Sequence, residues 1–148
     1  MEITKEEQKQ LRVFEKKLGY KFKKPALLKR ALTHKSSTNE MKLSPMENNE
    51  RLEFLGDAVL ELVISHLLME NFSDHPEGEL SKLRAAIVNE VQLAELARKI
   101  DLGDFLFLGK GEDRTGGREK DSLLSDALEA VLGAVYVDRG LKKVFRVI

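Results

Sequence analysis

Apolar residues recur at helical spacing along most of the chain, and polar or glycine-containing stretches separate these segments. Thr4 and Glu7 stand at capping-box spacing before a first predicted helix, which Gly19 ends. Apolar residues within this helix repeat at intervals of three and four, namely Leu11, Phe14 and Leu18. Pro25 suits the first turn of a second predicted helix.

The central and C-terminal parts of the chain predict longer helices. A long helix, which either Asn48 or Asn49 can cap, is expected to run to about Asn71. Further helices are predicted from about Glu77, from near Asp121 to just before Gly140, and from Leu141 onward, and one more is predicted to carry Leu93, Leu96, Ala97 and Ile100. Residues 34–48 and the glycine-containing region 103–117 are predicted as loops, with a short extended piece at 104–108. Because strand signals are nearly absent, we predict an all-α fold in a single domain, residues 1–148.

Composition excludes several classes of protein. Cysteine is absent, which removes disulfides, thiolate metal sites and cysteine nucleophiles. The N-terminus lacks the apolar segment of a secretory signal. The longest apolar stretch, from Ala58 to Met69, is interrupted by Glu61 and His66 and is too short to span a bilayer. We therefore expect a cytoplasmic protein without a membrane partner.

Charge is unevenly distributed although the net charge is zero, with 25 basic and 25 acidic residues. Residues 8–39 contain ten Lys or Arg and one acid, whereas residues 40–129 contain twenty acids and ten bases. With this distribution, the acidic region can bind a metal ion and the basic region can bind a polyanion. The simpler explanation of the basic stretch alone is a set of solvated helix faces.

Three acids interrupt the apolar pattern of the long central helix. Glu50, Glu53 and Asp57 are spaced by three and four residues, so they lie on one stripe with neighbouring Cβ atoms about 5–6 Å apart. Like charges at that distance repel each other. A bound divalent cation would compensate them.

A second pair of acids, Asp126 and Glu129, lies in the last long helix among apolar and small residues. Carboxylates in such surroundings need a partner, a proton or a metal ion. Each acidic helix also contains a glycine in its interior, Gly56 or Gly133, which close contact between the two backbones would explain. An all-carboxylate site favours Mg²⁺ or Mn²⁺ over zinc or copper.

Two acids separated by three or four residues are most often a solvated helix face. An all-α interaction module with solvated acids is therefore an alternative to a metal site. The three histidines, His34, His66 and His75, have no spacing typical of a zinc site, and no His-Asp dipeptide of helical phosphohydrolases occurs. Site-like binding of Mn²⁺ would separate the two alternatives.

The residues from Glu50 to Leu60 closely resemble the signature of the ribonuclease III endonuclease domain. The resemblance spans nearly the whole chain, through further motifs at residues 18–22, 31–36, 77–81, 108–112, 116–117 and 126–130. It implies an all-helical domain that forms a symmetric homodimer and cleaves double-stranded RNA with Mg²⁺, for which Mn²⁺ can substitute. It further implies 5′-phosphate and 3′-hydroxyl products, a role in rRNA and mRNA processing, and no small-molecule organic cofactor.

The resemblance also assigns roles to individual residues. Four acids match the family's metal-binding carboxylates, namely Glu53, Asp57, Asp126 and Glu129, and Asp57 and Glu129 are the predicted catalytic residues. Glu50 and Glu77 match supporting acids at the rim of the same region. Phe54 matches an aromatic residue that contacts the partner subunit, although the sequence equally allows a core phenylalanine. Arg84 is a candidate RNA contact or a solvated charge.

Many members of that family continue into a double-stranded-RNA-binding domain, which does not follow Ile148 in this sequence. We expect the domain to be cut from a longer protein or to belong to a smaller type without that module. A non-catalytic relative that binds structured or ribosomal RNA is the main rival within this family. The presence of all four carboxylates argues against that rival.

Overall fold

The computed structural model describes residues 2–148, and the fold in that range is entirely helical, as the sequence predicts. Its α-helices are α1 (Lys5–Leu18), α2 (Pro25–Ala31), α3 (Lys35–Glu40), α4 (Glu50–Asn71), α5 (Glu77–Ile87), α6 (Glu90–Lys99), α7 (Lys110–Arg114), α8 (Asp121–Arg139) and α9 (Leu141–Val147). Three short 3₁₀ turns lie at Pro45–Glu47, Leu102–Phe105 and Gly117–Glu119. Extended pairing in the described residues is limited to an isolated bridge between Thr33 and Phe107.

The helix boundaries follow local rules that the sequence already displays. The Thr4 hydroxyl accepts a hydrogen bond from the Glu7 amide, and the Glu7 carboxylate accepts one from the Thr4 amide. Gly19 ends α1 with φ of 79°, in the left-handed region that glycine adopts readily. Pro25 occupies the first turn of α2.

Two regions predicted as loops contain short helices, which corrects the sequence interpretation. Residues 34–48 include α3 and the turn Pro45–Glu47, and residues 103–117 include α7. The polar side chains in the first region support a helix rather than a loop, because the His34 ring accepts a hydrogen bond from the Ser36 amide at the start of α3. Such one- and two-turn helices carry almost no hydrophobic periodicity, so the sequence pattern does not reveal them.

The two asparagines predicted to cap α4 act differently at its start. Asn49 occupies the cap position, but its side chain makes no capping hydrogen bond and instead donates to the Ala31 carbonyl at 3.1 Å. The side-chain Oδ1 atom of Asn48 accepts a hydrogen bond from the Glu50 backbone amide at 3.0 Å. Both asparagines are buried, and their hydrogen bonds hold the start of α4 against the end of α2.

Helices α4 and α8 form the centre of the fold, with α6 and α2 packed against α8. Gly56 and Gly133 face each other at the crossing, as their positions in the helix interiors suggest. A Cβ atom on Gly56 would collide with the backbone carbonyl of Glu129, and one on Gly133 would collide with the carbonyl of Leu52. The two backbones therefore touch, and this contact places the acids of α4 beside those of α8.

The core lies around α8, in which residues 127–135 are buried without interruption. Apolar side chains from the other elements complete it, among them Phe14, Leu28, Val63, Leu102 and Val144. None of the helices described combines the length and the hydrophobicity that crossing a bilayer requires.

Candidate metal centre

Three carboxylates meet at the crossing of α4 and α8. One oxygen atom from each of Glu53, Asp126 and Glu129 lies within 4.8 Å of the corresponding atoms of the other two. Glu53 is in the first turn of α4, whereas Asp126 and Glu129 occupy successive turns of α8. The close approach of the two backbones at Gly56 and Gly133 is what allows these side chains to meet.

Glu129 is the buried member of this triplet, with 7% of its surface exposed. Its Oε2 atom is buried and has no hydrogen-bond partner among the described residues. Burial is the largest cause that raises the pKa of Glu129 from 4.5 to about 9, followed by direct side-chain contact with the Asp57 carboxylate and then by the charges of Asp57, Glu53 and Asp126. The fold therefore places an oxygen ligand where ionisation is disfavoured unless a cation is present.

The other two acids of the triplet are more accessible, but their pKa values are raised as well. Burial and then the charges of Asp126, Asp57 and Glu50 raise the pKa of Glu53. Burial also raises the pKa of Asp126. No ion pair among the residues described joins either of these acids to a lysine or arginine.

Asp57, one turn after Glu53, lies beside the triplet rather than within it. It lines a cleft of about 200 Å³ that opens next to the triplet. Asp126 and Glu129 line this cleft and also lie close to Glu53 in the triplet. The two acids of α8 are thus shared between the triplet and the cleft.

The supporting acids predicted from the sequence lie further from the triplet. Glu50 is exposed at the start of α4, where its carboxylate accepts a hydrogen bond from the side-chain Nδ2 atom of Asn48 at 3.4 Å. Its charge contributes to the raised pKa of Glu53. Glu77 begins α5 and accepts a hydrogen bond from the Ser81 hydroxyl at 2.8 Å. Glu77 borders a separate hollow of about 170 Å³ and not the cleft.

Phe54 and Arg84 have distinct environments. Phe54 is 80% exposed although it lies between Glu53 and Asp57, so it is not a core residue of this chain. Arg84 borders the same hollow as Glu77 and donates to the Ser65 hydroxyl at 2.9 Å. Arg84 is half-buried and therefore differs from a fully solvated helix charge.

Two acids of the cleft escaped the sequence interpretation. Glu61 follows Asp57 by four residues, so helical spacing alone could have identified it. Glu90 begins α6 and also borders the cleft. Its position in the sequence gives no such signal, because more than thirty residues separate it from both acidic pairs.

The donor chemistry of the centre fits a hard divalent cation. Its ligand atoms are carboxylate oxygens, which suit Mg²⁺ and Mn²⁺ better than soft metals. The buried, unpartnered Oε2 atom of Glu129 supplies an acceptor that nothing in the described protein satisfies. Residues Glu53, Asp126 and Glu129 could hold such an ion, with Asp57 at the open side.

As far as the structure describes the chain, the basic stretch of residues 8–39 contains both ion-paired and unpaired lysines and arginines. Within the N-terminal stretch, Lys17 pairs with Asp101 and Lys29 pairs with Glu7, each at 3.0 Å. Outside this stretch, Lys120 pairs with Glu112 at 2.7 Å. Exposed bases remain on α1 and on the segment after it, namely Lys9, Arg12, Lys16, Lys21, Lys23 and Lys24.

Comparison with known proteins identifies relatives along most of the chain. Residues 24–148 match a family model described as Ribonuclease-III-like. Ribonuclease 3 of Campylobacter concisus is 55% identical over 136 residues, covering 92% of this chain and 58% of that protein. Ribonuclease 3 of Nitratiruptor sp. is 57% identical over 136 residues, with the same two coverages. The chain thus spans somewhat less than three fifths of the length of these curated relatives.

Solved structures show the same fold. A nuclease domain of ribonuclease III from Campylobacter jejuni superposes with a TM-score of 0.86 at 47% identity, covering 93% of this chain and 92% of that one. That structure is described as flexible in a region involved in dimer formation. A 2.2 Å crystal structure of the same nuclease domain gives a TM-score of 0.85, also at 47% identity, over 94% of this chain and 90% of that one.

Proposed function

Because the chain belongs to the ribonuclease-III-like family, we propose that it is a divalent-metal-dependent endoribonuclease domain that cleaves double-stranded RNA. The observation that supports this most directly is the carboxylate triplet at the helix crossing, with Glu129 buried and its Oε2 atom unpartnered. We assign Mg²⁺ as the cation, with Mn²⁺ as a substitute, and a cytoplasmic role in RNA processing.

The proposed reaction is hydrolysis of a phosphodiester bond. The oxygen of a water molecule forms a bond to phosphorus, the bond between phosphorus and the 3′ oxygen breaks, and that oxygen takes up a proton. The products are a 5′-phosphate and a 3′-hydroxyl end. When bound, Mg²⁺ lowers the pKa of the attacking water and offsets the charge of the phosphate.

The residues of the chain prepare this reaction. Glu53, Asp126 and Glu129 would hold the cation. Burial and the neighbouring carboxylates raise the pKa of Glu129 to about 9, so the cation would displace the proton of this carboxyl group at neutral pH. Asp57 faces the open cleft and orients the hydrated ion toward RNA. Glu50 supports the rim of this region without binding the ion directly, whereas Glu77 borders a separate hollow.

We propose a symmetric homodimer whose contact includes Phe54. An aromatic side chain that is 80% exposed leaves apolar surface in water, and complete burial of a phenylalanine side chain contributes about 1.5–3 kcal/mol. Because Phe54 lies between Glu53 and Asp57 on α4, the same contact would fix the position of the acidic helix. Each subunit would then provide one metal centre.

The proposed RNA surface contacts phosphates rather than bases. A-form duplexes are recognised mainly through shape, phosphates and 2′-hydroxyl groups. The exposed bases of α1 and the following segment could contact phosphates in this way. Arg84 would make a further phosphate contact, because its hydrogen bond to Ser65 orients the guanidinium group at the edge of an open hollow.

A cleavage assay tests the proposed function. The chain is incubated with a long RNA duplex and Mg²⁺, the products are sized, and their ends are identified by phosphatase and ligase treatment. We expect short duplexes with 5′-phosphates from the natural chain and intact RNA from the Glu129→Gln variant. RNA that is bound but not cleaved by the natural chain would instead identify a non-catalytic RNA-binding relative.

A further inference from the structure

Glu90 brings a third helix to the metal centre. This residue begins α6 and lines the cleft together with Asp57, Asp126 and Glu129. After burial, the charge of Glu90 is the next cause of the raised pKa of Asp126. The cleft is therefore acidic on the α6 side as well as on the sides formed by α4 and α8.

The position of Glu90 is fixed by its neighbours. The side-chain Oδ1 atom of Asn89 accepts a hydrogen bond from the Gln92 backbone amide at 2.9 Å and so caps α6. The side-chain Nδ2 atom of Asn89 donates to the backbone carbonyls of Ala85 and Ala86 at 3.0 and 3.2 Å, which connects the start of α6 to the end of α5. Leu93, one turn later, is buried and also borders the cleft.

Glu90 has no cationic partner that would explain this placement. Its carboxylate takes part in no ion pair or side-chain hydrogen bond among residues 2–148, whereas Glu95 on the same helix lies 3.6 Å from the Arg98 guanidinium. An acid in the first turn of a helix does interact favourably with the helix dipole. That interaction does not account for the Oε2 atom of Glu129 in the same cleft, which is buried and has no hydrogen-bond partner among the described residues.

We propose that Glu90 is a positioning residue of the metal centre, accepting hydrogen bonds from water molecules on a cation held by Asp126 and Glu129. Mg²⁺ retains several of its waters when it binds to proteins, so carboxylates beyond its direct ligands can hold it through those waters. Loss of such a partner typically lowers metal affinity about 10–100-fold. The inference rests on the proposed metal centre and adds to it a residue from α6.

Calorimetric titration of Mn²⁺ into the folded chain tests this role. The Glu90→Gln variant is compared with the natural chain and with Glu95→Gln, which removes the same charge from the same helix but away from the cleft. We expect Glu90→Gln to weaken Mn²⁺ binding at least about tenfold. Glu95→Gln should remain within twofold of the natural chain, and the thermal unfolding of all three proteins is measured without metal.

The outcomes separate this inference from the proposed function. Failure of the natural chain to bind Mn²⁺ would overturn the metal centre and Glu90 with it. Mn²⁺ binding that is equal in the natural chain and in Glu90→Gln would overturn the role of Glu90 alone. A Glu90→Gln variant that melts earlier without metal but binds Mn²⁺ normally would show that Glu90 serves only to stabilise α6.

Discussion

Replacing Glu129 with glutamine should stabilise the metal-free protein at neutral pH while it removes metal binding. Burial and the nearby acids raise the pKa of this carboxyl group from 4.5 to about 9. Its contribution to stability is complete below pH 4.5 and is lost as the pH rises toward 9, because the unfolded chain ionises first. Glutamine has nearly the same size and no proton to lose.

The size of this stability difference follows from the solution pH and from the pKa values of Glu129 in the unfolded and folded chains. At pH 7 the unfolded carboxyl group is ionised and the folded one remains protonated, and this difference corresponds to about 3 kcal/mol of lost stability. We therefore expect Glu129→Gln to be about 3 kcal/mol more stable than the natural chain at pH 7. At pH 4.5 the two proteins should be nearly equal.

Urea denaturation at pH 4.5, 6, 7 and 8 with a chelator present measures these free energies of unfolding. Protein concentration must be constant, since dimer formation would shift apparent stability. The Glu95→Gln variant controls for the loss of one negative charge. A Glu129→Gln protein that is less stable at pH 7, or whose advantage does not change with pH, would refute the assignment of Glu129 as a protonated, buried ligand. Added Mg²⁺ should stabilise the natural chain only, which reduces or reverses the difference.

Three further predictions concern packing, assembly and RNA binding. Gly133→Ala should destabilise the protein by about 3 kcal/mol in the same urea assay, because its methyl group meets the Leu52 carbonyl, whereas Gly111→Ala, with open space around it, should change little. Phe54→Ala should yield a folded monomer by sedimentation, and a dimer of unchanged affinity would exclude this residue from the contact. RNA binding should weaken steeply between 50 and 200 mM salt, as counterion release requires. A flat response in a filter-binding assay would argue against the basic surface of α1.

Much of the fold was predictable because its long helices obey local rules. The capping box at Thr4, the glycine that ends α1 and the proline that starts α2 act through neighbouring residues, and each is found where the pattern indicates. The short helices α3 and α7 were missed, because they owe their structure to contacts between distant segments. The Ser36 hydroxyl, for example, accepts a hydrogen bond from the Gly109 amide at 2.9 Å.

For the candidate site too, part was predictable from local spacing and part depended on how the helices pack. Helical spacing predicts that Glu53 and Asp57 share one face of α4 and that Asp126 and Glu129 share one face of α8. The meeting of Glu53 with the α8 pair was an expectation supported by two glycines in helix interiors. The collision that a Cβ atom would cause at either glycine explains why these backbones can touch.

The sequence by itself determined the all-α fold, the two acidic helices and the class of cation that their oxygens would favour. Periodicity and residue chemistry are local properties, so they can be read without coordinates. Only the tertiary structure decided that Glu129 is buried, that Phe54 is exposed and that Glu90 joins the cleft from α6. Burial and proximity depend on how distant helices pack, and no spacing along a single chain specifies that packing.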